Sequence, residues 1–167
     1  IDLETEGSSC AVLSLEAARL CQAGATLDDV ESRLRALIPN ARFLAMLDTL
    51  SFIAKSGKIG KVQAVAGDLF RVKPVACIQH EGVQFIGRAR GKRQAIEMML
   101  GQFAQDVRGR EDVRVTVTHA NAEADLPPLI QGVEAACPGI DIDVAPFTAG
   151  MGVHAGPGLL GIAYAYL

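Results

Sequence analysis

The sequence has no tryptophan, and aromatic residues make up only 5% of its 167 positions. With so few rings to stack on bases and a net charge of −3, nucleic acid is not an expected partner. No apolar run approaches the roughly 18–20 residues that cross a bilayer, so no transmembrane segment is expected. The front of the chain, at Ile1, lacks the basic start, apolar middle and small-residue cleavage site of a signal peptide, and reads as a processed or trimmed end. The four cysteines, Cys10, Cys21, Cys77 and Cys137, include no CxxC pair, and no histidine stands at zinc-ligand spacing. No metal site is expected. Their apolar neighbours predict buried, reduced thiols and a cytoplasmic protein.

What the chain does have is apolar bulk and segregated charge. Half of its residues are hydrophobic, enough to bury a core, and no stretch is biased towards disorder. Residues 1–54 hold 4 basic against 8 acidic side chains, and residues 94–167 hold 3 against 9. Between them, residues 55–93 hold 9 basic residues against Asp68 and Glu81, a net of +7. That middle segment is a candidate anion-binding face, suited to an acidic protein or a small anionic ligand.

Periodicity places the elements. Ile1-Asp2-Leu3 reads as a strand end before a polar turn. Apolar residues at three- and four-residue spacing predict a helix over 10–23, stopped by Gly24, and a second from Thr26 to about Leu37 with Asp28 and Asp29 in its first turn. Residues 42–47 read as a buried strand, followed by a helix carrying Leu50, Phe52 and Ile53, and another helix over 61–70. Strands over 71–80 and 83–89 flank Glu81-Gly82 as a hairpin, with Pro74 marking an edge position or a bulge. A helix over 91–106, a half-buried strand with Val113, Val115 and Val117 facing inward, a helix over 122–137 and strands over 140–147 and 159–167 complete the chain. The fold class is α/β: the remnant of an α/β/α layer over residues 1–60, then a mixed-sheet domain covered by helices over 61–167.

Residues 148–158, Thr-Ala-Gly-Met-Gly-Val-His-Ala-Gly-Pro-Gly, read as a glycine-rich loop between two strands. Glycines let successive N–H groups converge into a cup for an oxyanion, and His154 within it can donate to a carboxylate or phosphate. No Gly-Lys-Ser/Thr follows, and the loop leads into a strand, which excludes a Walker loop and a Rossmann turn. His80 and His119 gain no such support.

Several motifs in order resemble the DegV family of bacterial fatty-acid-binding proteins. They are Leu-Asp-Thr-Leu at 47–50, Lys-Ser-Gly-Lys-Ile-Gly-Lys at 55–61, Val-Lys-Pro-Val at 72–75, Arg-Ala-Arg-Gly-Lys-Arg-Gln-Ala at 88–95 and, most specifically, Val-His-Ala-Gly-Pro-Gly at 153–158. The resemblance spans essentially the whole chain, and it implies that family members extend further at the front. It implies a non-catalytic, two-domain carrier that encloses one long-chain fatty acid, needs no cofactor, and offers the carboxylate to a separate fatty-acid kinase subunit. Carried over to this sequence, the carboxylate would meet His154, Gly156, Gly158, Lys58, Ser8 and Ser9. Arg88, Arg90, Lys92 and Arg93 would face the kinase. Gly7 stands where the family usually has a serine, with Ser8 and Ser9 beside it. Lys58 replaces the arginine of a Gly-Gly-Arg-Ile motif, keeping charge but exchanging a planar fork for a point charge.

Two other functions compete with the carrier. One is an interaction module acting through the basic face alone. The other is an enzyme in which His154 attacks or deprotonates a small carbonyl or phosphorylated substrate, although no carboxylate in the loop is placed to orient the imidazole.

Overall fold

The computed structural model describes residues 8–55, 72–80, 82–110 and 112–167. Helices α1 (Ser8–Gln22) and α2 (Leu27–Leu37) lie where the apolar spacing places them. α2 opens with a capping box: the Asp29 N–H donates to Thr26 Oγ1 at 3.2 Å, and the Thr26 N–H donates to Asp29 Oδ2 at 3.1 Å. Hydrogen bonds from the Thr26 hydroxyl and N–H hold the Asp29 carboxyl below its ordinary range.

The rest follows as β1 (Arg42–Met46), α3 (Ser51–Lys55), β2 (Lys73–Gln79), β3 (Gly82–Ala89), α4 (Lys92–Asp106), β4 (Arg114–His119), α5 (Leu126–Ala136), β5 (Ile142–Pro146), α6 (Ala149–Ala155) and β6 (Leu160–Ala165). The strands make one mixed sheet in the order β3-β2-β1-β6-β4-β5. Only β4 and β5 run parallel, and α5 supplies the crossover that such a pair requires. The expected division at residues 60 and 61 falls between β1 and β2, which are paired neighbours with Leu44 opposite Cys77. The expected strand end over 1–3 and helix over 61–70 lie outside the described residues.

Helices cover both faces, so β1 is apolar from Phe43 to Met46. Its Leu44 and Met46 pack with Val75, Met99 and Phe103 on the α4–α5 side, while Phe43 and Ala45 pack with Val12 and Leu13 of α1 on the other. Small residues of β6 allow the close fit on that second side. A Cβ on Gly161 would lie 2.3 Å from the Phe43 ring and 3.1 Å from the Thr118 methyl.

One expectation narrows and two change. Pro74 is not on an edge, because β2 lies between β3 and β1, and the register instead shifts beside it between Val75 and Ala76. A bulge there accommodates the residue that cannot donate to the ladder. Thr116 and Thr118 do not face solvent: α1 covers their side of β4, and both are buried. None of the four cysteines forms a disulfide among the described residues, yet only Cys77 is buried, and Cys21 is exposed.

Burial pushes the Cys77 thiol from 9.0 up to about 11, against the opposing charge of Arg42. At pH 8 an aromatic disulfide reagent should therefore label Cys21 at once and Cys77 only after denaturation. Because the folded value lies above the unfolded one, the stability contributed by this group is complete below pH 9 and disappears as the pH rises towards 11. Reaction of Cys77 as fast as Cys21 in the native protein would contradict its burial.

Candidate functional site

The strand register brings the C-terminal ends of β1, β4 and β5 to the same end of the sheet as the N-terminal ends of β2 and β6. The first turn of α1 and the whole of α6 lie at this end, and α6 packs against α3. Residues 149–155, expected as loop, are helical. Each glycine weakens a helix by about 1 kcal/mol, so this short turn persists through its contacts rather than its propensity.

Those contacts explain two of the glycines. Gly156 has φ +77°, and a Cβ there would lie 2.3 Å from the Phe52 ring of α3. Gly158 has φ +86°, and its Cβ would lie 2.7 Å from Asp48 Cβ. Asp48 in turn accepts from Lys73 Nζ at 2.6 Å through its Oδ1. The converging N–H cup expected of these glycines is not formed by this pair. The Gly156 N–H donates to the Gly152 carbonyl at 2.7 Å and the Gly158 N–H to the Ala120 carbonyl at 2.6 Å, so both donors are engaged within the chain.

Three buried polar atoms have no hydrogen-bond partner among the described residues: Ser9 Oγ, Thr116 Oγ1 and His154 Nδ1. Each such group costs about 1–3 kcal/mol unless something satisfies it. Ser9 is fully buried in the first turn of α1. Two residues on, Ala11 lines a cavity of about 130 Å³ together with Thr116 and Thr118 of β4, Phe147, and Met151 of α6. His154 follows Met151 by three residues on the same helix, and its imidazole is half-buried. The Phe147 ring closes the cavity by stacking on Phe43 with centroids 6.0 Å apart. Apolar walls with the unsatisfied Thr116 hydroxyl among them, and unsatisfied Ser9 and His154 on the helices beside them, suit an amphiphile with a small polar head. No carboxylate among the described residues hydrogen-bonds His154, so the orienting partner of a catalytic dyad is not found there. Groups of metal-ligating side chains are also not found among the described residues.

The other expected site residues divide. The Ser8 side chain and all of Lys58 lie outside the described residues. Arg88, Arg90, Lys92 and Arg93 do share the end of the sheet that carries α6, since β3 ends and α4 begins there. Two of them are neutralised: Lys92 pairs with Asp125, and Arg93 Nε lies 3.0 Å from Glu97 Oε1. Arg88 and Arg90 are exposed, and neither guanidinium forms an ion pair with a described residue. The sequence reading missed Thr116, Thr118, Phe147 and Met151 as cavity walls. The alternation of β4 carries a signal for the threonines only once α1 is known to cover them.

Among the described residues, no helix is long and apolar enough to cross a membrane. The DegV family model, described as "Uncharacterised protein, DegV family", matches residues 1–167. A DegV domain-containing protein of Clostridium acetobutylicum is 32% identical over 143 residues, covering 83% of this chain and 50% of that protein. A Thermus thermophilus structure described as fatty acid binding of a DegV family protein matches all of this chain and 60% of its own, with a TM-score of 0.86 and 28% identity. Bacillus subtilis DegV, described as a fatty acid binding protein, matches 100% of this chain and 60% of its own, with a TM-score of 0.80 and 26% identity. The chain spans about half the length of the curated relatives it matches.

Proposed function

This chain belongs to the DegV family, and from that premise we propose that it forms part of a carrier that encloses a long-chain fatty acid. The acid's carboxylate is held by His154 together with Ser9 and Ser8, and its tail leaves the polar end along the apolar cavity beneath α6. The observation that carries this reading is an apolar cavity lined by the unpartnered Thr116 Oγ1, with two further unpartnered polar atoms, Ser9 Oγ and His154 Nδ1, on the helices whose Ala11 and Met151 line it. A carboxylate brings acceptors to a buried hydroxyl and an imidazole N–H without requiring a second charge to be buried beside them. The cavity of about 130 Å³ is smaller than the roughly 300–1,000 Å³ typical of a complete ligand site, so these residues account for one portion of the enclosure.

A saturating C16 fatty acid, at one hundred times its dissociation constant, should stabilise the protein by about 2.7 kcal/mol. That corresponds to a rise of roughly 5–11 °C in Tm. His154→Ala should weaken the acid by about tenfold or more while leaving the Tm of the unliganded protein nearly unchanged. Equal affinity in the variant would remove His154 from the site.

The bound carboxylate is presented to a kinase subunit that docks on Arg88 and Arg90. This is supported by two guanidiniums without carboxylate partners among the described residues, at the same end of the sheet as His154. Arg88→Glu with Arg90→Glu should abolish salt-sensitive association with an acidic kinase surface and leave fatty-acid affinity intact. Unchanged association would move the docking surface elsewhere.

A further inference from the structure

A second cleft lies at the other end of the sheet. It has a volume of about 830 Å³, within the size range of small-molecule sites, and opens between the turn that follows α4 and the turn that follows α5. One wall is apolar, from Ala104, Val107, Val113 and Ile140. Four arginines, Arg19, Arg108, Arg110 and Arg114, line it, and among the described lining residues Asp141 is the one carboxylate.

The four arginines are not equivalent. Arg19 is neutralised by Asp141 and Asp143 at 3.0 and 3.1 Å, and Arg114 by Glu16 and Asp112 at 2.6 and 2.7 Å. Arg108 and Arg110 form no ion pair with a described residue. Arg110 is nonetheless held in place, its guanidinium lying 4.9 Å from the centroid of the Tyr166 ring. A cation stacked on a ring keeps its planar fork of donors free for an anion. Two guanidiniums without an ion pair among the described residues, facing an apolar wall, define a ligand with about two negative charges on one small group and a hydrocarbon body.

We infer that this cleft is a second binding site, for a phosphate monoester carried on an apolar body. Phosphate supplies about −1.5 to −2 charges and three acceptor oxygens, matching two forks. The body lies against Val107, Val113 and Ile140. The site is independent of the fatty-acid reading, being at the opposite end of the sheet from α6.

The test is an NMR titration of the full chain with inorganic phosphate, phenyl phosphate and benzyl alcohol, alongside sedimentation with vesicles containing phosphatidic acid. Saturable shifts centred on residues 107–113 and 137–141 are expected with phenyl phosphate, about tenfold tighter than inorganic phosphate and with none from benzyl alcohol. Arg108→Ala with Arg110→Ala should weaken phenyl phosphate by about tenfold or more and leave fatty-acid affinity unchanged. Arg108→Gln with Arg110→Gln repeats the test with bulk retained. Phenyl phosphate binding identifies a soluble ester, and arginine-dependent sedimentation without it identifies a lipid headgroup. Neither signal, shifts elsewhere, shifts indifferent to both double variants, or phenyl phosphate that binds but no tighter than inorganic phosphate would overturn the inference.

Discussion

Glu16→Ala should lower the unfolding free energy by about 3–5 kcal/mol, the usual result of stripping one partner from a buried ion pair. Glu16 sits on α1 with only 3% of its surface exposed. Its Oε1 accepts from Arg33 Nε of α2 at 3.1 Å and its Oε2 from Arg114 Nε of β4 at 2.6 Å. Asp112 braces the same two arginines, at 2.5 Å from Arg33 and 2.7 Å from Arg114. Burial opposes the charge on Arg114, but Glu16 and Asp112 more than offset it, and the guanidinium holds its proton more tightly than usual. Without Glu16, two partly enclosed cations share one half-exposed carboxylate. Because α1, α2 and the sheet meet at this residue, the loss should appear as a lower denaturation midpoint with an unchanged slope. Glu16→Gln keeps the shape and two acceptor contacts at most in part, so it should fall between wild type and alanine. An alanine variant within about 0.5 kcal/mol of wild type would show that the network carries no stability.

Gly156→Ala should cost roughly 2–5 kcal/mol, combining backbone strain with overpacking. The residue has φ +77° and ψ 169°, a region essentially reserved for glycine. Its new methyl would lie 2.3 Å from the Phe52 ring, on the contact that fixes α6 against α3. The variant should lose fatty-acid affinity along with stability, since His154 rides on α6. Gly150→Ala is the contrasting substitution in the same helix. Nothing lies within 4 Å of its Cβ, and the exchange should stabilise by about 0.5–1 kcal/mol, as glycine to alanine does in a helix. Equal effects at the two positions would mean that the geometry of Gly156 is irrelevant.

The contrast between these glycines shows where the sequence is legible and where it stops. Local signals hold well: Thr26 and Asp29 mark the start of α2, and Gly82 opens β3 at the hairpin. The unusual density of Gly and His over 148–158 marks the segment that forms α6 and the turn after it. It misleads about the conformation, because this glycine-rich stretch is helical where it packs against α3, some hundred residues earlier in the chain. Thr116 and Thr118 fail for a similar reason. Alternation with valine predicts a wet face, and only the long-range placement of α1 over β4 makes that face dry. The sheet order is equally non-local, since β6, last in the chain, lies between β1 and β4.

Native mass spectrometry of the purified full chain tests the carrier account most directly. One C16–C18 fatty acid should be found per protein, and His154→Ala should release it at lower collision energy. Protein that carries no such mass, and whose Tm is unmoved by added fatty acids of any chain length, would contradict it.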